Sequence, residues 1–170
     1  DDKLFDKAFT LIRNNKSDHP WLMANKEQLL REATLWRKDF QTGQDGLTLA
    51  AALIFGKDET IQSLLPAYKV EGMLRKENKD RYDDRINPPL RTNLIDTYLE
   101  LKAFINKHLP EKFFMEGDQR VDLRDKIFRE VIGNAIVHRE YTSALSTELI
   151  ITASEVVITN PNKPYFHGVI

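Results

Sequence analysis

Polar residues that could do chemistry together recur at helical spacing between residues 128 and 141. At about 100° per residue, Glu130, Asn134, His138 and Tyr141 fall within one stripe of roughly 80° on a helix. Apolar residues adjoin this stripe, so we expect it to be half-buried rather than solvated. A half-buried carboxylate and amide must be paired or must face a cavity, because burial without partners costs a few kcal/mol. The stripe therefore predicts a ligand cavity beside this helix.

The residue types in the stripe suit magnesium and nucleotide chemistry. The amide oxygen of Asn134 is a hard ligand for Mg²⁺, and Glu130, one helical turn away, could orient or deprotonate an attacking water. Structural alternatives stay open. Glu130 could pair with Arg124 or Arg129 while Asn134 bonds a neighbouring backbone group. His138 could be a structural histidine near a helix end.

The composition limits the kinds of protein that this chain can be. Its 170 residues are 41% hydrophobic, which suffices for one domain, or for one domain with an appendage. A formal net charge of −1 gives no broad attraction to nucleic acid or to an anionic membrane. Cysteine is absent, which excludes disulfides, thiolate zinc sites and cysteine nucleophiles and favours a reducing cytoplasm.

No segment predicts membrane insertion or secretion. The longest apolar run, Leu47–Phe55, is about half of the roughly 20 residues that a spanning helix needs, and no signal-peptide pattern opens the chain. We therefore expect a cytoplasmic protein with no membrane partner. Because the chain starts at Asp1 and stops at Ile170, just after a hydrophobic run resumes, we also expect it to be a piece of a longer protein.

Hydrophobic periodicity predicts an α+β chain with a helical N-terminal segment. Apolar residues recur at helical spacing over 3–12 and 26–36, and the alanine- and leucine-rich run before Gly56 predicts a buried helix. The mixed-charge run 75–85 predicts a loop or a solvated hairpin. The remaining predicted elements are a strand over 68–74, an amphipathic helix over 94–109, a hairpin over 113–121, a helix over 125–141 and strands over 148–153 and 155–159.

Three segments carry a resemblance to a known family. Phe128–Tyr141, with the sequence FREVIGNAIVHREY, is similar to the signature REL-x-x-NA-x-x-HRDY of bacterial transcriptional regulators in the ATP-dependent helicase RecG-related family. Leu47–Lys57 resembles the LTLAGLLLFGK helix of that family, and Ile150–Pro161 resembles its hairpin ending in I-x-NPG. The three segments have the family's order and separations over roughly residues 45–164. No segment resembles a Walker phosphate loop or a helicase core, so the family name does not imply unwinding.

The resemblance implies a fold and a domain organisation. In that family the signature is similar to the N-box of the ATPase superfamily that contains gyrase, the histidine kinases and MutL. This implies a Bergerat-like, histidine-kinase-type α/β sandwich, truncated here. Residues 1–45 would be a helical connector to a missing upstream domain, and residues 46–170 an ATPase-like domain that is incomplete at its C-terminus. Such regulators carry a Schlafen/AlbA-type DNA-binding domain before this region and often a winged helix after it, so DNA would be a partner through domains absent from this chain.

The resemblance also implies a site for ATP and Mg²⁺. Glu130 would be the water-orienting catalytic base and Asn134 the magnesium ligand, with His138 and Arg139 near the phosphates or structural. Asn160 stands where full ATPases of the superfamily place the aspartate of a DxGxG turn that binds adenine, and it would offer an amide to a base edge. The chain has no DxGxG turn and ends before a glycine-rich lid. We therefore expect any ATP hydrolysis to belong to the full-length protein rather than to this fragment.

Three functional hypotheses follow. The first is a nucleotide-binding, ATPase-like regulatory module of a transcriptional regulator, in which ligand state alters domain arrangement or oligomerisation, a homodimer included. The second is a degenerate scaffold of the same fold that serves dimerisation or domain docking and binds no nucleotide, favoured by the run Asn160-Pro-Asn162. The third is direct DNA binding by the basic residues of the run 75–85, which interleaved acidic residues largely cancel.

Overall fold

Helices and short strands alternate along the chain in the computed structural model, which describes residues 1–77, 80–111 and 114–162. Phe113, where the predicted hairpin begins, and residues 163–170, which end the predicted C-terminal domain, lie outside the described residues. The helices are α1 (Asp2–Asn15), α2 (Lys26–Glu32), α3 (Leu49–Phe55), α4 (Asp58–Leu64), α5 (Leu94–His108) and α6 (Leu123–Val137). The strands are β1 (Trp36–Lys38), β2 (Asp45–Leu47), β3 (Val70–Arg75), β4 (Asp84–Arg85), β5 (Met115–Glu116), β6 (Gln119–Arg120), β7 (Thr147–Thr152) and β8 (Val156–Thr159).

The chain divides into two compact units. The first comprises Asp1–Leu64 with Thr92–Ile95, and the second comprises Leu65–Arg91 with Asp96–Ile170. The sequence predicts a boundary after residue 45 instead. That position falls inside β2, which pairs with β1 within the first unit, so the hairpin joins residues on both sides of the predicted boundary.

The first unit has an apolar core between its helices. Asp1 caps α1 by accepting a hydrogen bond from the backbone N–H of Lys3 at 2.9 Å, and it thereby satisfies one of the free donors of the first turn. Phe5 of α1 stacks on Phe55 of α3 with the ring centroids 3.9 Å apart. The buried apolar residues of this unit are Leu4, Phe5, Leu29, Leu35, Ala51, Leu53 and Ile61.

A turn over residues 33–35 and the first residue of a β-hairpin replace the last part of the helix that the sequence predicts over 26–36. The helix α2 ends at Glu32, and Thr34 then adopts a left-handed conformation with φ +56, which redirects the chain. Trp36 begins β1, which runs antiparallel to β2 with Trp36 opposite Leu47. The two strands of this hairpin have three residues each, which is too short for alternating apolar and polar residues to be recognised. The sequence therefore did not predict this hairpin.

The second unit is built on a four-stranded mixed sheet in the order β4-β3-β7-β8. The central pair, β3 and β7, is parallel, with Gly72 opposite Leu149, and the two outer pairs are antiparallel. Alternate residues of both central strands are buried, as expected of strands with one face on a core. The connection between the two parallel strands contains α5, the β5–β6 hairpin and α6.

Two helices of that connection contribute buried residues to the core of the second unit. From α5 these are Thr97, Leu101, Phe104 and Ile105, and from α6 they are Ile132 and Ala135. The predicted α+β class is thereby confirmed, as are the predicted helix over 94–109 and the strands over 68–74 and 148–159 to within a few residues. At the end of the run 75–85, β4 pairs antiparallel with β3, which agrees with the predicted hairpin, and residues 78 and 79 of that run lie outside the described residues. None of the described helices has the length and apolar character to cross a membrane.

Candidate functional site

The first turn of α6 is fixed by a set of charged side chains. Asp122 caps the helix by accepting from the backbone N–H of Asp125 at 3.0 Å and also accepts from Arg124 at 2.9 Å. The second terminal nitrogen of Arg124 donates to the carbonyl of Leu109 at 2.7 Å. Lys102 of α5 pairs with Asp125 at 2.7 Å. Asp122 and Asp125 interact favourably with the helix dipole at the N-terminus of α6. The contacts with Leu109 and Lys102 hold the start of α6 against α5 and the residue that follows it.

The two residues proposed from the sequence as a catalytic pair lie together on α6. The Nδ2 group of Asn134 donates to Oε1 of Glu130 at 3.1 Å. Both side chains are exposed, so the expectation of a half-buried stripe was wrong. The structural alternative for Glu130, a pair with Arg124 or Arg129, is also not what the structure shows, because Arg124 bonds Asp122 and Leu109 and the described residues contain no ion pair between Arg129 and Glu130. The bond uses an N–H group of Asn134 and does not consume its amide oxygen, which is the atom that would ligate a cation.

Apolar side chains share this exposed face of α6. At helical spacing Leu123, Ile127 and Val137 lie within about 40° of the Glu130–Asn134 pair. Ile127 is 46% exposed and Val137 is 72% exposed. The apolar residues that adjoin the polar stripe are therefore not all buried. Ile132 and Ala135 form the buried side of the helix instead. An exposed face that combines apolar groups with a central polar pair differs from an ordinary solvated helix face, which is polar throughout.

The helix ends earlier than the sequence predicts. Val137 is its last residue, and His138 caps it with its backbone N–H donating to the carbonyl of Asn134 at 3.0 Å. His138 is exposed at this helix end. Tyr141, expected on the same helical stripe, lies beyond the helix and donates its hydroxyl to the carbonyl of Ile136 at 2.7 Å. The stripe therefore contains Glu130, Asn134 and His138 but not Tyr141.

Arg139 lies inside the second unit rather than at its surface. The residue is 6% exposed, and its terminal nitrogens donate to the hydroxyl of Thr147 at 2.6 Å and to the carbonyl of Leu145 at 2.7 Å. Its Nε atom is buried and has no hydrogen-bond partner among the described residues. This placement agrees with the structural alternative for Arg139 and not with contact to the phosphates of a nucleotide.

Two tyrosines flank the buried guanidinium. Its central carbon lies 5.4 Å from the ring centroid of Tyr68 and 5.9 Å from that of Tyr141. Burial lowers the pKa of Arg139 from its ordinary value. Burial likewise raises the pKa of Tyr68 and that of Tyr141, so both phenols stay protonated at neutral pH. The cation is therefore held by neutral hydrogen-bond acceptors and aromatic rings.

Asn160 continues this buried set of hydrogen bonds. Its Oδ1 accepts from the hydroxyl of Thr147 at 2.7 Å, which gives a relay from Arg139 through Thr147 to Asn160. Glu140 lies two residues after His138, the cap of α6, and its backbone N–H donates to the carbonyl of Pro161 at 2.9 Å. This bond holds the chain after β8 next to the C-terminal end of α6, so Asn160 and the last turn of α6 lie at the same end of the unit.

The predicted site residues thus form two groups. Glu130 and Asn134 are brought into contact on the exposed face of α6, with His138 at its end. Arg139 and Asn160 belong to the relay, whose middle member, Thr147, sequence reasoning missed. A signal existed, because a threonine on the buried face of an apolar strand needs a polar partner.

The donor set on α6 fits Mg²⁺ when a nucleotide supplies further oxygens. A carboxylate and an amide oxygen are hard ligands, and Mg²⁺ in nucleotide sites uses one or two protein oxygens together with phosphates. In the described parts of the chain no group of three or more histidine, aspartate or glutamate side chains is placed to hold a metal ion. A cation on α6 would therefore depend on the nucleotide as its co-ligand.

The cap of α6 predicts a pH dependence of stability. The N–H of Asp125, followed by Arg124, lowers the pKa of Asp122. A lowered pKa in the folded state contributes stability above the unfolded value, which is about 3.9 for aspartate, and this contribution is lost as pH falls through the folded value. By urea denaturation, the wild type should have a larger free energy of unfolding than Asp122→Ala at pH 7, and this difference should narrow as the pH falls below about 4. A difference that stays constant down to pH 2 would exclude the stabilising role of the ionised Asp122 side chain.

Comparisons with known proteins give a partial family match and one structural match. The model described as Domain of unknown function (DUF8451) matches residues 3–71, which include most of the first unit. No curated protein matches the chain. The crystal structure of the DIP2311 protein from Corynebacterium diphtheriae matches 92% of this chain with a TM-score of 0.63 and 19% sequence identity. This chain covers 30% of that structure, and at such identity the likeness shows the fold alone.

Proposed function

We propose that this chain carries an ATPase-like nucleotide-binding module of Bergerat-like fold, which serves a longer bacterial transcriptional regulator. The observation that carries the proposal is the Glu130–Asn134 pair, bonded at 3.1 Å and exposed on one face of α6. The pair lies inside the segment that resembles the N-box. The mixed sheet of the second unit, with α6 in the crossover between its parallel strands, supports the same fold.

The two side chains would have different roles. The amide oxygen of Asn134 would hold Mg²⁺ together with phosphate oxygens, and the ion would neutralise phosphate charge. Glu130 would accept a proton from, or orient, the water that attacks the terminal phosphate. The bond between them would favour the rotamers in which both side chains face the same ligand, which would reduce the entropy lost on binding.

The apolar groups on the same face suit the rest of a nucleotide. Leu123 and Ile127 lie on one side of the Glu130–Asn134 pair along the helix and Val137 lies on the other, so one of the two sides would offer apolar contact to a ribose or a base while the pair offers polar contact to the phosphate and its cation. A ligand with one apolar part and one anionic part would therefore cover this face more completely than water does. DNA-linked regulation belongs, in this proposal, to the domains outside the chain.

A degenerate scaffold is the second candidate, and one observation favours it. Asn160 stands at the position expected to contact the base, yet its amide oxygen accepts a hydrogen bond from Thr147 inside the unit. A fold that kept α6 and the sheet for dimerisation or docking would need this relay and no ligand. Measured nucleotide affinity separates the two candidates.

The test is calorimetric titration of the chain with a non-hydrolysable ATP analogue, with and without Mg²⁺. We expect saturable binding that Mg²⁺ strengthens by about tenfold, a difference of about 1.4 kcal/mol. Asn134→Ala should remove that strengthening, because the variant lacks the amide ligand. Asn15→Ala, which removes an amide near the end of α1, is the matched control and should bind like the wild type.

Either of two results would contradict the assigned site. Absence of heat at millimolar nucleotide would favour the degenerate scaffold. Binding with an equal response to Mg²⁺ in the wild type and in Asn134→Ala would remove the metal-ligand role from Asn134. Folding of each variant is checked by its thermal midpoint, so that loss of structure is not mistaken for loss of a ligand.

A further inference from the structure

A cavity of about 360 Å³ lies among the helices of the first unit. Its walls come mainly from α1, the 3₁₀ turn Pro20–Leu22, α2, α3 and Ile95, which also belongs to the first unit. We infer that this cavity binds a small uncharged apolar molecule, of the class of an aromatic ring with a short alkyl chain. The inference does not depend on the nucleotide site proposed on α6, because α6 belongs to the second unit.

The lining of the cavity selects against polar ligands. Every side chain that lines it is aliphatic or aromatic, and the indole N–H of Trp21 is the one polar group that these described side chains contain. A charged ligand would lose its hydration on entry and would gain almost no hydrogen bonds in return, which makes its binding unfavourable. An apolar ligand pays no such cost and gains from leaving water.

The volume of the cavity exceeds an ordinary packing defect. Close-packed interiors contain few voids larger than a water molecule, and an apolar cavity of about 150 Å³ is already enough to stay dry and bind benzene. Cavities that bind larger organic ligands measure about 300–1,000 Å³. A volume of about 360 Å³ therefore suits one aromatic ring together with an alkyl chain.

The same volume argues against a helix as the occupant. A helix with its side chains is at least about 10 Å across and rises 5.4 Å per turn, so a single turn fills roughly 420 Å³. This exceeds the cavity of about 360 Å³. A helix of another protein, or of a second copy of this chain, would therefore not fit inside, whereas a small molecule does.

Two small residues contribute to the open space. Ala8 of α1 and Ala33 at the end of α2 each add only a methyl group to a lining that otherwise consists of larger apolar side chains. The wall beside them is held by packing, because Phe5 stacks on Phe55 with the ring centroids 3.9 Å apart. This stacking limits how far the two rings can move into the space.

Trp21 forms an aromatic wall whose position is fixed locally. The Nδ1 atom of His19 accepts from the backbone N–H of Trp21 at 3.2 Å, and the two rings meet edge to face with their centroids 5.2 Å apart. Trp21 is half-buried, so its indole both faces the cavity and can sense a change in its polarity. An aromatic ligand would add ring contacts to this wall.

The cation near the cavity is already paired. The ammonium group of Lys26 lies 5.6 Å from the ring centroid of Phe5, which lines the cavity, and it forms an ion pair with Asp2 at 2.7 Å. The carboxylate of Asp2 compensates this charge, so Lys26 offers little additional attraction to an anionic ligand. This arrangement agrees with an uncharged occupant.

The test compares butylbenzene with 4-phenylbutyrate, in which a carboxylate replaces the terminal methyl group. Each is titrated into the wild type and into Trp36→Phe, where Trp21 is the one remaining tryptophan. We expect butylbenzene to shift the emission of Trp21 saturably and to raise the thermal midpoint of the protein. We expect 4-phenylbutyrate to bind at least about tenfold more weakly.

Filling the cavity should abolish the binding. Ala8→Leu places a larger apolar side chain in the space and should weaken butylbenzene binding at least about tenfold. Ala50→Leu makes the same change at an exposed position of α3 that does not line the cavity, and it should bind like the wild type. The thermal midpoint without ligand shows whether each variant is folded. Ala33→Leu provides the same test if Ala8→Leu does not fold.

Four outcomes would overturn the inference. The first is the absence of a saturable response to butylbenzene up to its solubility limit. The second is unchanged affinity in the folded cavity-filling variant, which would place the probe elsewhere. The third is equal binding of 4-phenylbutyrate, which would exclude the assigned ligand class. The fourth is a thermal midpoint that rises with protein concentration in the wild type and not in Ala8→Leu, which would identify a second copy of this chain as the occupant.

Discussion

Replacement of Arg139 by methionine should destabilise the protein by about 2–5 kcal/mol. The change leaves the carbonyl of Leu145 without a donor and takes from Thr147 the bond that orients its hydroxyl. A buried polar group that loses its partner costs about 1–3 kcal/mol, which applies in full to Thr147 and only in part to the carbonyl of Leu145, because Leu145 is largely exposed. The contacts of the guanidinium with Tyr68 and Tyr141 are lost as well. Urea denaturation at pH 7, followed by circular dichroism, measures the change as a shift of the midpoint.

A matched variant on α6 separates this effect from the loss of any arginine. Arg129 is exposed, so Arg129→Met should change the unfolding free energy by less than about 0.5 kcal/mol. Arg139→Lys keeps the charge but offers one compact ammonium in place of a fork, and it should recover only part of the lost stability. If Arg139→Met lowers the free energy of unfolding no more than Arg129→Met does, the hydrogen bonds of the relay contribute nothing to stability.

The relay matters for the site because of the elements that it connects. Arg139 follows α6, Thr147 begins β7 and Asn160 follows β8, so three separate elements meet in one set of hydrogen bonds. Buried hydrogen bonds to a charged donor are stronger than those between neutral groups. A nucleotide site at this end of the unit would therefore rest on a frame that is formed before the ligand binds.

The sequence could predict the elements of the second unit because their periodicity is strong. Alternation marks β7 and β8, and a long apolar stripe marks α5. The pairing of β3 with β7 was not accessible, since parallel strands come from distant parts of the chain and no local signal names the partner. The hairpin of β1 and β2 escaped because its strands are too short for a pattern.

The sequence predicts that Glu130 and Asn134 share one helix face, but it does not predict that this face is exposed. Spacing alone places Glu130 and Asn134 on one face, and the structure confirms their contact. Which face of α6 packs on the core is a tertiary property, and apolar residues on both faces made the sequence ambiguous. The end of the helix was also misplaced, because His138 caps α6 without a glycine or proline to mark the stop. Tyr141 was therefore assigned to a stripe that it does not join.

Replacement of Ile132 by alanine should destabilise the protein by about 2–5 kcal/mol, comparable to the loss of Arg139. Ile132 is 0% exposed and lies on the side of α6 that packs into the second unit. Truncation removes apolar contacts and leaves a cavity that a close-packed core closes only in part. The unfolding free energy from urea denaturation, measured under the same conditions as for Arg139→Met, gives the cost.

A second isoleucine on the same helix supplies the control. Ile127 is 46% exposed on the face that carries Glu130 and Asn134, so Ile127→Ala should cost less than about 1 kcal/mol. The variant should instead weaken nucleotide binding, because the proposed site uses this face for apolar contact. Equal stability losses at positions 127 and 132 would mean that both faces of α6 are packed. In that case the Glu130–Asn134 pair would have no open surface on which to receive a ligand.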